Sequence, residues 1–243
     1  MIDNLTTVLI TTSPSPKHPS TDLIEETIDS VRWHLPTAEI LILCDGVRPE
    51  QEHHRAAYSE FVIRLETLSL ERWKNVRLIV FPEWQHQAWT IAKGIEQVKT
   101  PLILFTEHDQ ALLPIWFPWG DVCAVMNARR EVNVIRFMLE DSIKPEWEQF
   151  MLGPLQKYST LTKTIQWSQR THLAFVDYYR KMIDAHLKPD DRCYLEDRLY
   201  GQCDDWEENR LTIYTPHGPM ARIRHLDGRG DDVKFHSVLE GKE

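Results

Sequence analysis

The N-terminal half of the chain carries four apolar runs, Leu5–Thr11, Glu39–Cys44, Val76–Phe81 and Pro101–Phe105, and no other feature narrows the fold as much. Each is rich in Ile, Leu and Val without strict polar alternation, as in parallel strands covered on both faces. Helical patterns fill the gaps. Between Asp22 and His34, Leu23, Ile24, Thr27, Ile28 and Val31 share one face and acids the other. Ser20 or Thr21 is placed to cap that helix, and Pro36 lies just past its end. From about Glu50 to Trp73, Ala57, Phe61, Leu65 and Leu68 recur at helical spacing, and a third helix is expected over about Gln85–Val98. This alternation predicts a doubly wound α/β domain with a mostly parallel sheet flanked by helices.

Beyond Asp109 the alternation breaks down. Strands are expected at Asn133–Leu139, Thr162–Gln166 and Leu211–Tyr214, and helices at about Thr171–His186 and Leu195–Trp206. From Pro216 onward Gly, Pro, Asp and Arg dominate, as in a loop or tail. No repeat or linker divides the chain, so one domain is expected over residues 1–243, its second half (111–243) a lobe built onto the sheet of the first (1–110).

With 243 residues, 42% of them hydrophobic, the chain can bury a sizeable core. A net charge of -9 argues against broad attraction to nucleic acid or an anionic membrane. Cys44, Cys123, Cys193 and Cys203 are scattered with no CxxC pair, which favours free thiols and a cytoplasmic protein over a disulfide framework. The opening MIDNLTTVLITTS has no basic stretch and only a short apolar run, so neither a signal peptide nor a membrane span is expected.

Ligands of open α/β sheets bind where loops leave the carboxyl ends of strands. Those positions hold Thr11-Thr12-Ser13-Pro14, Asp45-Gly46 and Glu107-His108-Asp109. No glycine occurs between Met1 and Asp45, and GxxxxGK[ST] is absent, which excludes the usual dinucleotide and P-loop cradles. In LILFTEHDQ, an extended backbone would point Glu107 and Asp109 to one side, with His108 opposite, so that the two carboxylates hold Mg²⁺ or Mn²⁺; a solvated acidic turn is the plainer alternative. Asp45 is either an ordinary Asp-Gly turn or an acceptor for a nucleobase imino group. Glu196-Asp197 is either favourable charge at a helix start or a general base. The stretch from His225 to Asp232 is either a surface loop or a strap over a diphosphate, with His225 on the metal and Arg229 on phosphate. Spacings typical of zinc ligands are missing. Of nine tryptophans, Trp84, Trp89, Trp116, Trp119 and Trp167 fall near the edge loops, where one or two would stack on a sugar or base.

Taken together, these residues resemble the family 2-like glycosyltransferases of the GT-A fold over most of residues 5–232. The family's nucleotide loop resembles Thr11–Pro14, its base-contacting aspartate Asp45, and its Asp-x-Asp metal motif Glu107-His108-Asp109, with glutamate as the first acid. Thr90-Ile91-Ala92-Lys93-Gly94-Ile95 is similar to its Ala-Arg-Asn-x-Gly-Ile helix, with Ala92 in place of the asparagine and Lys93 on the donor side. Glu196-Asp197 resembles the family's Glu-Asp pair, and His225 to Asp232 its terminal His and Arg loop. Trp167–Phe175 and HLDGRGDD also resemble small glycosyltransferase-like proteins of actinobacteria and their phages.

The resemblance implies inverting sugar transfer from a UDP- or GDP-type donor, dependent on Mn²⁺ or Mg²⁺, in a cytoplasm (the host's, for a phage protein). Asp109, Glu107 and His225 would serve the metal. Thr11–Pro14, Asp45, Lys93 and Arg229 would bind the donor, Asp197 would be the base with Glu196 beside it, and Trp167, Gln169 and Arg170 would meet the acceptor. That acceptor is open: a glycan, a protein or modified phage DNA. Two other classes stay in view, a nucleotidyltransferase and a nucleotide-sugar-binding module without catalysis.

Overall fold

A computed structural model describes residues 2–129, 131–156, 158–189, 191–216 and 218–226. The first half alternates as the sequence predicts: β1 (Thr6–Thr12), α1 (Asp22–His34), β2 (Glu39–Cys44), α2 (Arg55–Glu71), β3 (Val76–Val80), α3 (His86–Glu96) and β4 (Leu102–Glu107). Its strands lie in parallel in the order β3-β2-β1-β4. β1, β2 and β4 are buried almost throughout, which is why they read as continuous apolar runs. α1 turns Ile24, Thr27, Ile28 and Val31 inward, and α2 does the same with Tyr58, Phe61 and Leu65. The expected helix from Glu50 is split, because Pro49–His54 forms a 3₁₀ turn and α2 starts only at Arg55. Thr21 stands at the cap of α1 without capping it, since its hydroxyl donates to the Glu25 carboxylate at 2.6 Å.

The second half supplies β5 (Gln110–Leu112), α4 (Trp119–Arg129), β6 (Val134–Arg136), α5 (Pro145–Glu148), β7 (Met151–Leu155), β8 (Tyr158–Thr164), β9 (His172–Phe175), α6 (Val176–His186), α7 (Leu195–Leu199), α8 (Trp206–Asn209), β10 (Leu211–Tyr214) and β11 (Ile223–His225). It builds onto the sheet by extending it, giving nine strands in the order β3-β2-β1-β4-β9-β6-β10-β8-β7. β5 and β11 form a separate two-stranded sheet.

Two expected helices are corrected. The first four residues of Thr171–His186 that follow Thr171 are not helical but form β9, antiparallel to both β4 and β6 at the middle of the sheet. Burial of His172, Leu173, Ala174 and Phe175 between two strands overrides any local preference. The helix expected over Leu195–Trp206 stops at Leu199, where Gly201 takes a φ of +70° and turns the chain, and α8 begins only at Trp206. The strand expected over Asn133–Leu139 shortens to β6, and the one over Thr162–Gln166 starts earlier, as β8. All four cysteines are free thiols, and among the described residues no helix is long and apolar enough to cross a membrane.

Candidate active site

β1, β2 and β4 end level with one another, since Thr12 pairs with Cys44 and Thr11 with Glu107. The loops leaving them enclose a cleft of about 270 Å³. Thr11, Thr12, Ser13 and Pro14 line it from β1, Asp45 and Gly46 from β2, and Glu107, His108 and Asp109 from β4. Arg48, Trp84, His86 and Tyr194 complete the walls, with the Arg48 guanidinium 5.2 Å over the Trp84 ring. Thr12 Oγ1 and Arg48 Nε are buried there without a hydrogen-bond partner, so the cleft offers polar atoms that a ligand would satisfy.

Asp45 organises this cleft. It is 5% exposed, and its Oδ1 accepts from the amides of Gly46 and Gln85 (both 2.8 Å), while Oδ2 accepts from the His86 amide at 3.0 Å. The carboxylate thereby satisfies two orphan amides at the start of α3. Burial raises its pKa, and these hydrogen bonds act in the opposite direction. The approach of the loop depends on Gly46, where a Cβ would stand 2.2 Å from the Glu83 carbonyl carbon and 2.4 Å from the Trp84 nitrogen. His86 adopts a φ of +64°, a strained backbone for a residue with a side chain. Its pKa is lowered by burial and by Arg48, against the pull of Asp45 and Asp197.

The extended geometry expected for Glu107-His108-Asp109 is not what forms. β4 ends at Glu107, and the chain turns through His108 and Asp109 before β5, so all three residues line the cleft. Both Glu107 oxygens accept amide hydrogen bonds at 2.7 Å, from Gln87 and Gln110. Asp109 is 2% exposed, and antiparallel pairing of β11 with β5 brings His225 beside it, Nδ1 to Oδ2 at 3.8 Å. Ligand atoms on one Mg²⁺ or Mn²⁺ stand about 3 Å apart when adjacent and about 4 Å when opposite, so an imidazole and a carboxylate at this spacing fit a shared cation. Among the described residues no three His, Cys, Asp or Glu side chains converge on one point, which leaves further positions to ligand oxygens or water.

A second cavity of about 350 Å³ lies next to the first and shares Gln87, Glu107 and Tyr194 with it. Gln169, Arg170, Glu196 and Asp197 line it, as do Gln110, Arg136, Trp147 and Ser168. Glu196 is oriented by the Gln169 backbone amide, which donates to its Oε2 at 2.8 Å, whereas among the described residues no hydrogen bond ties Asp197 down. The junction between the cavities is braced from below. Gln110 Oε1 accepts from the amide and hydroxyl of Thr171 at 3.1 Å, and the Thr106 and Thr171 hydroxyls meet at 2.8 Å.

Two expected residues lie elsewhere, and a third is not among the described residues. Lys93 lines neither cavity; its Nζ donates to Gln85 Oε1 at 2.6 Å and so supports the loop that Asp45 holds. Trp167 is buried, its ring centred 5.4 Å from Tyr179 and 5.8 Å from His172, and packs β9 and α6 together. Arg229 lies outside the described residues. Arg48, His86, Gln87, Tyr194 and Arg136 line the cavities without having been singled out in the sequence.

No protein-family model and no curated protein sequence matches the chain. Solved structures do. TarS residues 1–349 of S. aureus superpose with a TM-score of 0.58 at 12% identity, over 92% of this chain and 60% of that one. GalNAc-T7, solved with UDP, GalNAc and Mn²⁺, gives 0.58 at 12% identity over 90% of this chain and 43% of that one. The mannosyltransferase PcManGT of Pyrobaculum calidifontis, with GDP-Man and Mn²⁺, gives 0.51 at 11% identity over 87% and 57%. The fold is that of the GT-A glycosyltransferases. The chain spans about three-fifths of the TarS fragment it matches.

Proposed function

We propose that this protein is a family 2-like inverting glycosyltransferase, which moves a sugar from a nucleoside diphosphate to an acceptor hydroxyl with the help of a divalent cation. The observation that carries the reading is the shared wall: a cleft at the strand ends opens beside a second cavity that holds the Glu196-Asp197 pair. Asp45, Arg48, Trp84 and the Thr11–Pro14 loop would bind the nucleoside in the first cavity. Asp109 and His225 would hold Mn²⁺ or Mg²⁺ there, and a cation so placed supplies charge to neutralise the diphosphate as it leaves. Similar structures hold UDP-GlcNAc in one case and GDP-Man with Mn²⁺ in another, which supports a UDP- or GDP-type donor.

Asp197 would take the proton of the acceptor hydroxyl as that oxygen attacks the anomeric carbon from the face opposite the diphosphate. Glu196, anchored by Gln169, would orient the acceptor beside it. Positioned general bases are worth about 10²–10⁴ in rate. Asp197→Asn should lower kcat by about that factor while nucleotide affinity and melting temperature stay unchanged; full turnover in this variant would remove Asp197 from the base role.

Thermal melting against nucleoside diphosphates and nucleotide-sugars, with and without Mn²⁺, tests the donor half directly. A ligand at about 100 times its Kd adds roughly 2.7 kcal/mol. One nucleotide should raise the melting point, and chelation should reverse most of the shift. Metal-independent stabilisation would separate the cation from the donor site, and a folded protein that responds to no nucleotide would overturn the proposal.

A further inference from the structure

The second cavity has two chemically different ends. Toward the cleft its walls are Gln87, Glu107 and Tyr194, and Asp197 lies close enough to His86 to act against the lowering of that imidazole's pKa. Away from the cleft the walls are Arg136, Trp147 and Arg170, which also line a smaller void behind it.

Arg136 is the last residue of β6 and is 9% exposed, yet its guanidinium makes no hydrogen bond and no ion pair of ordinary length with any described residue. The acids around it are already engaged. Glu140 takes both terminal nitrogens of Arg170, with Nη2 to Oε1 at 2.9 Å, and lies 3.9 Å from Lys144. Glu196 accepts from the Gln169 backbone. Burial lowers the Arg136 pKa to about 10, the like charge of Arg170 pushes in the same direction, and Glu196 and Glu140 act against both. A guanidinium carries five N–H donors in a planar fork that matches a carboxylate or phosphate, and this one lines the cavity with its fork unbonded. Beside it Gln169, 6% exposed, has neither amide atom in a hydrogen bond of ordinary geometry, although it lies near the Tyr179 hydroxyl and acts against the rise that burial imposes on that phenol's pKa. Lys144 and Arg170 flank Trp147 at 5.1 and 4.7 Å, so three cations gather at this end.

We propose that the acceptor is anionic, with a phosphate or carboxylate held by Arg136 at the far end of the cavity and the reacting hydroxyl at the Asp197 end. The assignment rests on the second cavity being the acceptor side of a glycosyltransferase. It gives the guanidinium fork the hydrogen-bond acceptor that Glu140 and Glu196, each bonded elsewhere, do not provide.

The test is binding by calorimetry of glucose 6-phosphate and gluconate, with glucose as the neutral probe, to the full chain, to Arg136→Gln and to Arg136→Lys. A charge-assisted contact predicts that glucose 6-phosphate binds at least about tenfold more tightly than glucose and that Arg136→Gln removes most of that margin. Arg136→Lys, which keeps the charge but loses the fork, should fall between. Should Arg136→Gln not fold, protection of Arg136 from phenylglyoxal by glucose 6-phosphate, read by mass spectrometry, gives the same answer on the unaltered protein. Equal binding of glucose and glucose 6-phosphate, binding indifferent to Arg136, displacement of the sugar phosphate by nucleotide, or no saturable binding to folded protein would each overturn the proposal. Nucleotide melting shifts are measured alongside. Arg136-dependent phosphate binding without any nucleotide response would sustain the anion site and sink the transferase reading, and the reverse pattern would do the opposite.

Discussion

His172 is held neutral by partners of opposite kind: its Nδ1 faces the Arg170 carbonyl at 2.6 Å and its Nε2 the Tyr179 hydroxyl at 2.5 Å. The carbonyl requires a proton on Nδ1, so Nε2 accepts from the phenol, and burial lowers the pKa from 6.5 to about 4. His18 behaves alike. Its Nδ1 accepts from the Ser15 amide at 3.0 Å, its ring stacks 4.1 Å from Phe61, and burial with His108 and His54 nearby lowers its pKa to about 4. In both cases the folded pKa lies below the unfolded one, so this contribution is complete above pH 6.5 and is lost as pH falls toward about 4. Urea midpoints should therefore drop across that window with up to roughly two protons of slope, and His18→Gln should remove about one of them. A midpoint insensitive to pH there would mean that the histidines are not kept neutral. At this scale the sequence showed the acidic groups but not their partners. Asp45, Asp109 and Asp197 stood out because they follow strands or open a helix. Arg136 and Gln87 did not, since an isolated Arg or Gln carries no pattern and its meaning comes from neighbours distant in the chain.

Among the elements, the packing of the β2–α2 loop against the β3–α3 loop depends on Gly46. A methyl at that position would enter the backbone of Glu83 and Trp84, so the two loops must part and the Asp45 hydrogen bonds must lengthen. Gly46→Ala should cost roughly 1–3 kcal/mol by chemical denaturation and weaken nucleotide binding at the same time. Stability equal to the parent would mean that the loops have room to spare. Gln110→Met makes a second case. It removes the acceptor for the Thr171 amide and one donor to Glu107, and an unsatisfied buried amide costs about 1–3 kcal/mol. Elements of the first half were legible because each strand is an unbroken apolar run set off from amphipathic helices. β9 was not, because four buried residues pass directly into α6 with no turn residue between them, and one helical pattern absorbs both. β5 and β11 were equally silent, as three-residue strands leave too few positions for any period to show.

For the whole molecule, β4 and β9 join the two halves by continuous pairing, with Leu102–Phe105 set against Phe175–His172. Leu102, Ile103, Leu104 and Phe105 are fully buried by that joint, so residues 1–110 alone would expose an apolar sheet edge. We expect one cooperative unfolding transition, with tryptophan fluorescence and far-UV circular dichroism coinciding in urea; separate midpoints would make the halves independent units. That the second half adds five strands to the same sheet left no trace in the sequence, because insertion of β9 between β4 and β6 is a choice among pairings that no local signal records. The wall of Gln87, Glu107 and Tyr194 has a thermodynamic consequence as well. A group that touches both occupants cannot respond to one without altering the terms on which it receives the other. Whatever factor a bound nucleotide imposes on acceptor affinity, the acceptor must return to the nucleotide in full, so either titration, repeated with the other ligand saturating, measures the same coupling free energy.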